Sequence, residues 1–411
     1  MIRADARLRV VLVNYNGGAL LQRAVRSALD SQWPGEIDVV VVDNDSSDGS
    51  AAEVETLPGV HVIYRLANEG FGANNHGLAD LVGGELEIDL PPAGVVALLN
   101  PDAAVRPETF RLLAAQLDED KKVGAASPLI VFDRPFIELD VVGNDITIDS
   151  VSDGVDELSS RCHGTNGAER LPGEHAPLWL CPPGSQLRVP VDGLGHLVVG
   201  LASGVGTVAG QQVEGPCEIS VGVAAHQTVQ VVQNAGVGIG ARGVGYSRGS
   251  GHVVGNDLGA PVDLWCGAAV VFHPAYLSAI GGFDPEYFLY YEDVDLGLRG
   301  LAAGWKTVHV PEAIVEHRHS DRTLQGSELV EVLQHRNRLL TIVRHGTPAE
   351  VASGFALAAI TPLSLAVSAA RNPDQRAERL RLAKWRAKSL KEAVQGVGYA
   401  VGVRNQERDR S

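Results

Sequence analysis

The sequence predicts an α/β protein with a mostly parallel, Rossmann-like sheet that is flanked by helices. Short apolar runs alternate with segments of helical periodicity over the first 120 residues, which is the pattern of β–α–β units. Polar residues directly follow three of the apolar runs. After about residue 140, Gly, Pro and short alternating segments replace the helical pattern. This change predicts an inserted, small all-β subdomain.

The individual elements follow from apolar periodicity. Continuous apolar runs predict buried strands over 7–16, 36–50, 61–67 and 94–105. Amphipathic segments predict helices over 19–32, 72–82 and 107–120. In the insert, alternating segments predict short strands over 185–191, 196–202, 217–223 and 227–233.

The charge distribution limits the classes of partner. The net charge is −16 over 411 residues, which argues against a nucleic-acid-binding protein because such proteins need a basic footprint. Residues 371–411 nevertheless carry eleven Lys or Arg against five Asp or Glu. A basic tail on an acidic body suits an anionic surface such as phospholipid headgroups. A solvated C-terminal helix is the alternative.

Residues 351–370 form a charge-free apolar segment that contains Pro362. Its length reaches that of a membrane-spanning helix, so a buried helix pair, an interfacial hairpin and a span are all open. A basic amphipathic stretch follows it. Together the two favour peripheral membrane contact through residues 351–391 over spanning.

Neither the N-terminus nor the cysteines indicate secretion. Residues 1–16 lack the apolar core and cleavage site of a signal peptide. The four cysteines, Cys162, Cys181, Cys217 and Cys266, show no Cys-x-x-Cys spacing, so free thiols are expected rather than a zinc ribbon. A cytoplasmic location is therefore expected, with peripheral placement at the inner face of the plasma membrane left open.

Three strand ends carry the sequences NYN (14–16), DND (43–45) and NPD (100–102). Ligands of parallel sheets bind at the carboxyl ends of the strands, so these residues are candidates for a binding site. Asn and Asp also favour turns, which would explain one such ending. Three in succession favour the site.

Six segments occur together in the order of a known family: VVLVNYN (10–16), VVVDNDSSDGS (40–50), NEGFGANNHGL (68–78), ALLNPDA (97–103), residues 267–299 with YYEDVDL, and VPEAIVEHRHS (310–320). They resemble the inverting family 2 glycosyltransferases of GT-A fold, and the nearest subgroup resembles bacterial rhamnosyltransferases of cell-wall and O-antigen assembly. The resemblance covers roughly residues 7–140 and 230–345. The insert departs from the minimal family pattern.

The resemblance implies a sugar-nucleotide donor site and a divalent cation on its diphosphate, Mg²⁺ or Mn²⁺. By position, Asp102 matches a metal ligand, and Asn100 stands where the family often has another Asp. His317 completes the metal or diphosphate site, with His319 as the rival. The donor-binding residues implied are Asn14, Tyr15, Asn16, Asp43, Asn44, Asn68, Gly70, Gly72, Asn74 and Asn100.

On the acceptor side, the resemblance assigns the catalytic base to Asp293 and an orienting role to Glu292. Attack by a sugar hydroxyl on an anomeric carbon needs a group that takes its proton. The acceptor-binding residues implied are Trp265, Gly267, Ala268, Tyr290 and Tyr291. Arg336 and Arg338 are expected near the phosphate or the membrane face.

Four regions are expected from the resemblance together with the change of texture. They are a nucleotide-sugar-binding half (1–145), the β insert (146–230), an acceptor-binding half (231–345) and a basic helical region with membrane contact (346–411).

The expected function is transfer of a sugar from a nucleotide-diphosphate donor to a glycan or polyprenyl-linked acceptor. The favoured donor is dTDP-rhamnose. UDP-galactofuranose or UDP-hexose donors are the alternatives within the family. A nucleotidyltransferase and a non-catalytic carbohydrate-binding protein are the rival classes. No nucleic-acid partner is expected, and a homo-oligomer is left open.

Overall fold

The computed structural model describes residues 5–171, 178–191, 195–224, 228–255, 262–318, 327–371 and 375–410. His319 lies outside these residues. The strands are β1 (Leu8–Asn14), β2 (Ile37–Asp43), β3 (Val60–Tyr64), β4 (Val95–Leu99), β5 (Ala103–Val105), β6 (Val123–Phe132), β7 (Phe136–Ser152), β8 (His163–Thr165), β9 (Glu169–Leu171), β10 (Leu178–Cys181), β11 (Ser185–Pro190), β12 (His196–Val208), β13 (Gln211–Glu214), β14 (Cys217–Gly222), β15 (Thr228–Val229), β16 (Val232–Asn234), β17 (Val237–Ile239), β18 (Gly245–Ser247), β19 (Ala269–Phe272) and β20 (Lys306–His317).

The helices alternate with the strands in the first third of the chain and dominate its end. They are α1 (Gly18–Leu29), α2 (Ser50–Glu55), α3 (Asn74–Gly77), α4 (Ala79–Val82), α5 (Thr109–Glu119), α6 (Pro274–Ile280), α7 (Glu292–Ala302), α8 (Glu328–His345), α9 (Pro348–Arg371) and α10 (Arg376–Arg410).

The central sheet has the order β3-β2-β1-β4-β19-β6-β20-β5, with β16 paired to β6. Its first four strands are parallel, and the pairings of β19 and of β5 are antiparallel. Helices lie on both faces. The predicted α/β class, with its β insert and C-terminal helices, is confirmed, and the sheet is parallel in its first half and mixed in its second.

Burial follows the apolar runs from which the strands were predicted. Residues Val39–Val42 of β2 are all fully buried, as expected for a strand covered on both faces. Along β1, Leu8, Val10 and Leu12 pack with α1 and α5, whereas Val11 packs on the opposite face with Phe272 and Leu277. Fully burying one such side chain contributes roughly 1.5–3 kcal/mol.

Two predicted elements of the donor half differ from the structure. The single strand expected over 94–105 is two strands, because the chain turns at residues 100–102 and β5 pairs with β20 at the far edge. The helix expected over 72–82 is a pair of short turns, α3 and α4. Gly77 packs so closely that an added Cβ would lie 2.6 Å from Val11, which brings this segment flat onto the sheet.

The β subdomain comprises β7 to β15 and is antiparallel in every described pairing. It has its own apolar core, which includes Ile146, Ile148, Trp179, Leu187 and Val199. The expected boundary at residue 146 falls inside β7, which starts at Phe136. The long strand β7 therefore carries the chain directly from the central sheet into the insert.

The three C-terminal helices differ in burial. Helix α8 is largely buried, and α10 packs against both α8 and α9. Helix α9 is continuous through Pro362 and buries only Gly354 and Ala369. By length and composition it could cross a membrane, and it is not the buried helix of the first alternative above. Pro362 has no N–H to donate within the helix. The residue before it, Thr361, donates its hydroxyl to the Leu357 carbonyl one turn earlier (2.8 Å).

Candidate active site

The donor side begins at the adjacent ends of β1 and β2. Asn14 is fully buried, and its Nδ2 donates to Asp43 Oδ1 (2.8 Å), Ser46 Oγ (3.1 Å) and Ser50 Oγ (3.0 Å). These bonds hold together the turns after β1 and β2, in which Asn16 and Asp45 respectively have positive φ. The Asn14 and Asp43 side chains therefore build the rim of the predicted donor site, and Tyr15 is exposed beside this rim.

Asn44 anchors the glycine-rich loop at residues 68–72. Its Nδ2 donates to Asn68 Oδ1 (2.9 Å) and to the Gly70 carbonyl (3.0 Å), and its Oδ1 accepts from the Glu69 N–H (2.8 Å). Asn74 closes the same loop by donating to the Phe71 carbonyl (2.9 Å). The buried Asn44 and Asn74 side chains are thus used to shape this loop.

The glycine-rich loop directly contacts residues 283–291, the predicted acceptor segment. The Phe71 N–H donates to the Phe288 carbonyl (2.7 Å). A Cβ at Gly70 would lie 2.1 Å from that carbonyl oxygen, and Gly70 has φ +66°, so only glycine fits there. The Phe71 ring also packs edge-on against Phe283, with centroids 5.1 Å apart.

The two predicted cation ligands are Asp102, in the turn after β4, and His317, at the end of β20. His317 Nε2 lies 3.0 Å from Asp102 Oδ1 and 3.4 Å from Asn100 Nδ2, and His317 Nδ1 lies 2.8 Å from Gln233 Oε1. In the tautomer that donates Nδ1–H to Gln233, the Nε2 lone pair faces the Asp102 carboxylate. Ligand atoms bound about 2.1 Å from an octahedral cation lie about 3 Å from each other. The 3.0 Å between His317 Nε2 and Asp102 Oδ1 therefore fits two neighbouring ligands of one such cation.

Residues 267–268 join this turn to the acceptor side. The Asn100 N–H donates to the Ala268 carbonyl (2.9 Å), and the Gly267 N–H donates to Asp293 Oδ2 (3.0 Å). A Cβ placed on Gly267 would lie 3.2 Å from the Phe71 ring and 3.4 Å from Asp293 Oδ2. The strand end at residue 100 and the carboxylate of Asp293 therefore meet at one edge of the sheet.

Asp293 and Glu292 begin α7 in different environments. Glu292 is buried, its Oε2 has no hydrogen-bond partner among the described residues, and burial followed by the charge of Asp293 raises its pKa well above the usual value. Burial also raises the pKa of Asp293, but N–H donors from Gly267 and Val294 oppose the shift. Burial therefore favours the neutral form of Glu292 more strongly than that of Asp293.

Positive φ angles mark the segment before α7. Phe288, Tyr290 and Tyr291 have φ of 58°, 68° and 72°, which is a strained conformation for bulky side chains. Asn337 of α8 holds this segment, because its Nδ2 donates to the carbonyls of Tyr287 (2.8 Å), Leu289 (2.9 Å) and Tyr290 (2.8 Å). Helix α8 therefore imposes the shape of the acceptor segment.

Asp295 is structural in its contacts. It is fully buried and lies 3.0 Å from Arg299, 2.9 Å from Arg344 and 2.8 Å from His345. Although burial raises its pKa, Arg299 and the other partners lower it to about 2. Arg336, expected near the phosphate or the membrane, instead pairs with Glu286 and donates to its carbonyl.

Trp265 stands apart from the other predicted acceptor contacts. Its side chain is 0% exposed and packs edge-on against Phe272 and Phe283. The structure therefore places it in the core behind Gly267 and Ala268, and this placement does not support a direct contact with an acceptor.

A cavity of about 570 Å³ lies beside Asp293. Hairpin β17–β18, the start of α7 and the helices α8, α9 and α10 supply its lining. Tyr290 and Tyr291 line it, as do Arg338, His335 and Arg386. Its position next to Asp293 makes it the candidate acceptor site.

Sequence reasoning missed two positioning residues, Gln233 and Asn337, and one cavity residue, Arg386. Gln233 lies on an edge strand that carries no motif, and Asn337 is one polar residue within an amphipathic helix. The adjacent residues Gln233 and Asn234 do show the strand alternation that sends one side chain to His317 and the next to the cavity.

Comparison with known proteins identifies the matched part of the chain. The family described as glycosyl transferase family 2 matches residues 9–139. The N-acetylglucosaminyl-diphospho-decaprenol L-rhamnosyltransferase of Mycobacterium tuberculosis is 27% identical over 325 residues, with 77% of each chain covered. An uncharacterised protein of the same organism is 29% identical over 125 residues, which are 30% of this chain and 36% of that protein.

Among solved structures, the mannosyltransferase of Pyrobaculum calidifontis in complex with GDP-Man and Mn²⁺ aligns with 98% of this chain and 87% of its own, at 14% identity and a TM-score of 0.44. The family match covers the strand ends that carry Asn14, Asp43 and Asp102. Residues 9–139 therefore belong to glycosyl transferase family 2, and the chain is a glycosyltransferase.

Proposed function

We propose that the chain transfers rhamnose from dTDP-rhamnose to a glycan or lipid-linked glycan acceptor, with inversion at the anomeric carbon and with a divalent cation on the donor diphosphate. One observation carries the proposal. The pair Asp102–His317 and the carboxylate of Asp293 are joined through residues 267–268 at one edge of the sheet. The name of the mycobacterial relative, a rhamnosyltransferase, supports the choice of sugar.

The proposed donor site is the rim built by Asn14, Asp43 and Asn44 together with the loop at residues 68–72. Their side chains are largely used to hold the backbone, so backbone groups of the loop would face the donor. Tyr15, Asn16, Asn68, Gly70, Gly72 and Asn74 belong to this rim by position, and their contact with a donor stays a prediction.

Asp102 and His317 would hold Mg²⁺ or Mn²⁺, and Gln233 fixes the orientation of the imidazole. Such an ion keeps several ligand positions for water and substrate phosphate, so two protein ligands suffice. When bound, it stabilises the charge that grows on the departing diphosphate. Asn100 lies beside the imidazole and would donate to a donor oxygen.

Asp293 acts as the base in the proposed reaction. The acceptor hydroxyl oxygen bonds to the anomeric carbon while the bond to the diphosphate breaks, and the hydroxyl proton passes to Asp293. One direct displacement of this kind inverts the anomeric centre. In its protonated form, which burial favours, Glu292 can donate a hydrogen bond that orients the acceptor.

Membrane contact is proposed as peripheral, through residues 351–391. Four apolar side chains form one stripe on α9 and are 42% to 68% exposed, namely Leu357, Ile360, Leu363 and Val367. The basic helix α10 packs alongside. We expect sedimentation with anionic vesicles and weaker sedimentation with neutral ones. A cytoplasmic enzyme at the inner membrane face is consistent with this contact.

A panel of sugar nucleotides tests the function. We expect Mn²⁺- or Mg²⁺-dependent transfer or slow hydrolysis with dTDP-rhamnose in preference to UDP-galactofuranose, UDP-glucose and other UDP-hexoses. A preference for a UDP donor would replace rhamnose by the alternative sugar. Absence of turnover and of binding with every donor would contradict the enzymatic reading and favour a carbohydrate-binding protein.

Asp102→Ala is expected to weaken Mn²⁺ binding in the presence of nucleoside diphosphate by about tenfold to a hundredfold, because one of the two proposed protein ligands is lost. Electron paramagnetic resonance of free Mn²⁺ measures this without turnover. Asp89→Ala, which lies in the connection before β4, is the control and should leave Mn²⁺ binding as in the wild type. Equal affinity in the wild type and Asp102→Ala would remove the cation from this turn.

A further inference from the structure

The cavity beside Asp293 is basic on the side formed by α8 and α10. His335 and Arg338 are three residues apart on α8 and so share a helix face, and Arg386 reaches the same cavity from α10. Among the lining residues that the structure describes, Asp293 is the only acidic one. The charge of this cavity therefore complements an anionic group.

The side chain of Arg386 is poorly compensated where it lies. Its Nη1 is 2.9 Å from Glu331 Oε2, yet neither atom meets hydrogen-bond geometry with any described partner. Burial lowers the pKa of Arg386, and the charge of Glu331 does not restore it. A second anion in the cavity would stabilise this guanidinium.

The same cavity reaches the exposed face of α9. Leu357 lines the cavity and is also the first member of the apolar stripe that continues to Ile360, Leu363 and Val367. Asp293, two guanidinium groups and a residue of the exposed apolar helix therefore all line one cavity. An acceptor that complements these groups carries a sugar, a phosphate group and a hydrocarbon chain.

We propose that Arg338 and Arg386 bind the diphosphate of a prenyl-diphosphate-linked sugar acceptor, with the prenyl chain leaving the cavity over Leu357 along α9. This inference rests on the proposed function and adds to it the acceptor class and the residues that recognise it. Guanidinium groups bind phosphate oxygens in pairs of parallel hydrogen bonds. The sugar is then placed toward Asp293, between Tyr290 and the hairpin β17–β18.

Equilibrium binding tests the inference without any turnover. The probes are farnesyl-diphosphate-linked N-acetylglucosamine and its hexyl glycoside, titrated by calorimetry in the absence of phospholipid, so that lipid headgroups cannot supply the phosphate. We expect the wild type to bind the diphosphate probe at least tenfold more tightly than the hexyl glycoside. Arg386→Gln and Arg338→Gln should each reduce the ratio of these two affinities about tenfold, which corresponds to one charge-assisted hydrogen bond.

Glu331→Gln is the matched variant, because it removes the carboxylate that competes for Arg386. We expect it to preserve or raise the ratio, and Arg386→Lys, which keeps the charge, should retain more of the ratio than Arg386→Gln. If Glu331→Gln and Arg386→Gln lower the ratio equally, the ion pair is structural and the inference is wrong. A wild type that binds both probes equally also overturns it. Failure of transfer with intact diphosphate selectivity would instead contradict the proposed function alone.

Discussion

Asp293→Asn is expected to reduce glycosyl transfer about 10²- to 10⁴-fold, the usual contribution of a general base. The amide oxygen can still accept from the Gly267 N–H, which holds the carboxylate at 3.0 Å, so the local geometry should persist. An amide cannot take the acceptor proton. Donor affinity should stay near the wild-type value, because the proposed donor rim lies at the ends of β1 and β2. Initial transfer rates and calorimetric donor binding measure the two effects.

The control is Asp120→Asn, an exposed carboxylate that pairs with Lys306 on the surface. It loses one charge, as Asp293→Asn does, and should transfer at close to the wild-type rate. Should Asp293→Asn retain transfer within tenfold of this control, the base would have to be another group. A carbohydrate-binding protein without catalysis would show no transfer in any of the three proteins.

The pH dependence of the transfer rate of the wild type tests the direction in which the pKa of Asp293 is shifted. Because burial raises the pKa of Asp293, the ionised base is lost as pH falls through a value above the usual aspartate range. The acid limb of the rate profile should therefore lie above pH 3.8, the ordinary value. Asp295 cannot produce this limb, since its pKa lies at about 2.

Asn337→Leu is expected to lower the free energy of unfolding by about 3 kcal/mol or more and to slow transfer. Leucine has a similar shape but cannot donate, so the carbonyls of Leu289 and Tyr290 lose the amide donor, and the Tyr287 carbonyl keeps only the Leu289 N–H (2.6 Å). Each unsatisfied buried polar group costs about 1–3 kcal/mol. The segment with positive φ angles then relaxes. Urea unfolding and transfer rates measure both losses.

Asn405→Leu on α10 makes the same chemical change at an exposed position and should alter stability by no more than about 0.5 kcal/mol. Thr341→Val removes one hydroxyl that bonds Tyr287 and should fall between the two. Equal stability of Asn337→Leu and Asn405→Leu would show that the acceptor segment holds its shape without α8.

Apolar periodicity predicted the strands of the donor half well, because β1, β2 and β4 are almost entirely buried runs that are followed by polar residues. It joined β4 and β5 because both flanks of the turn at residues 100–102 are apolar. The turn was nevertheless singled out by its Asn and Asp. The strand pattern could not show that β5 crosses to β20, since pairing depends on distant residues.

Some site residues could be identified from the sequence, and others could not. Asp102 and His317 stand in recognisable motifs, and the structure brings them to 3.0 Å. Their role in cation binding stays a prediction. Gln233 and Asn337 act through hydrogen bonds to partners that are distant in sequence, 84 residues for Gln233 and 50 for the Tyr287 carbonyl. Only tertiary structure assigns such partners. Trp265 shows the opposite case, an aromatic residue beside a motif whose ring fills the core.

The close approach of Gly70 and Phe71 to the Phe288 carbonyl couples the two halves of the cleft. A shift of either segment alone would break the hydrogen bond between the Phe71 N–H and the Phe288 carbonyl. Ordering of one segment by its substrate should reduce the entropy cost of ordering the other. The two substrates should therefore assist each other's binding by the same factor, whichever enters first.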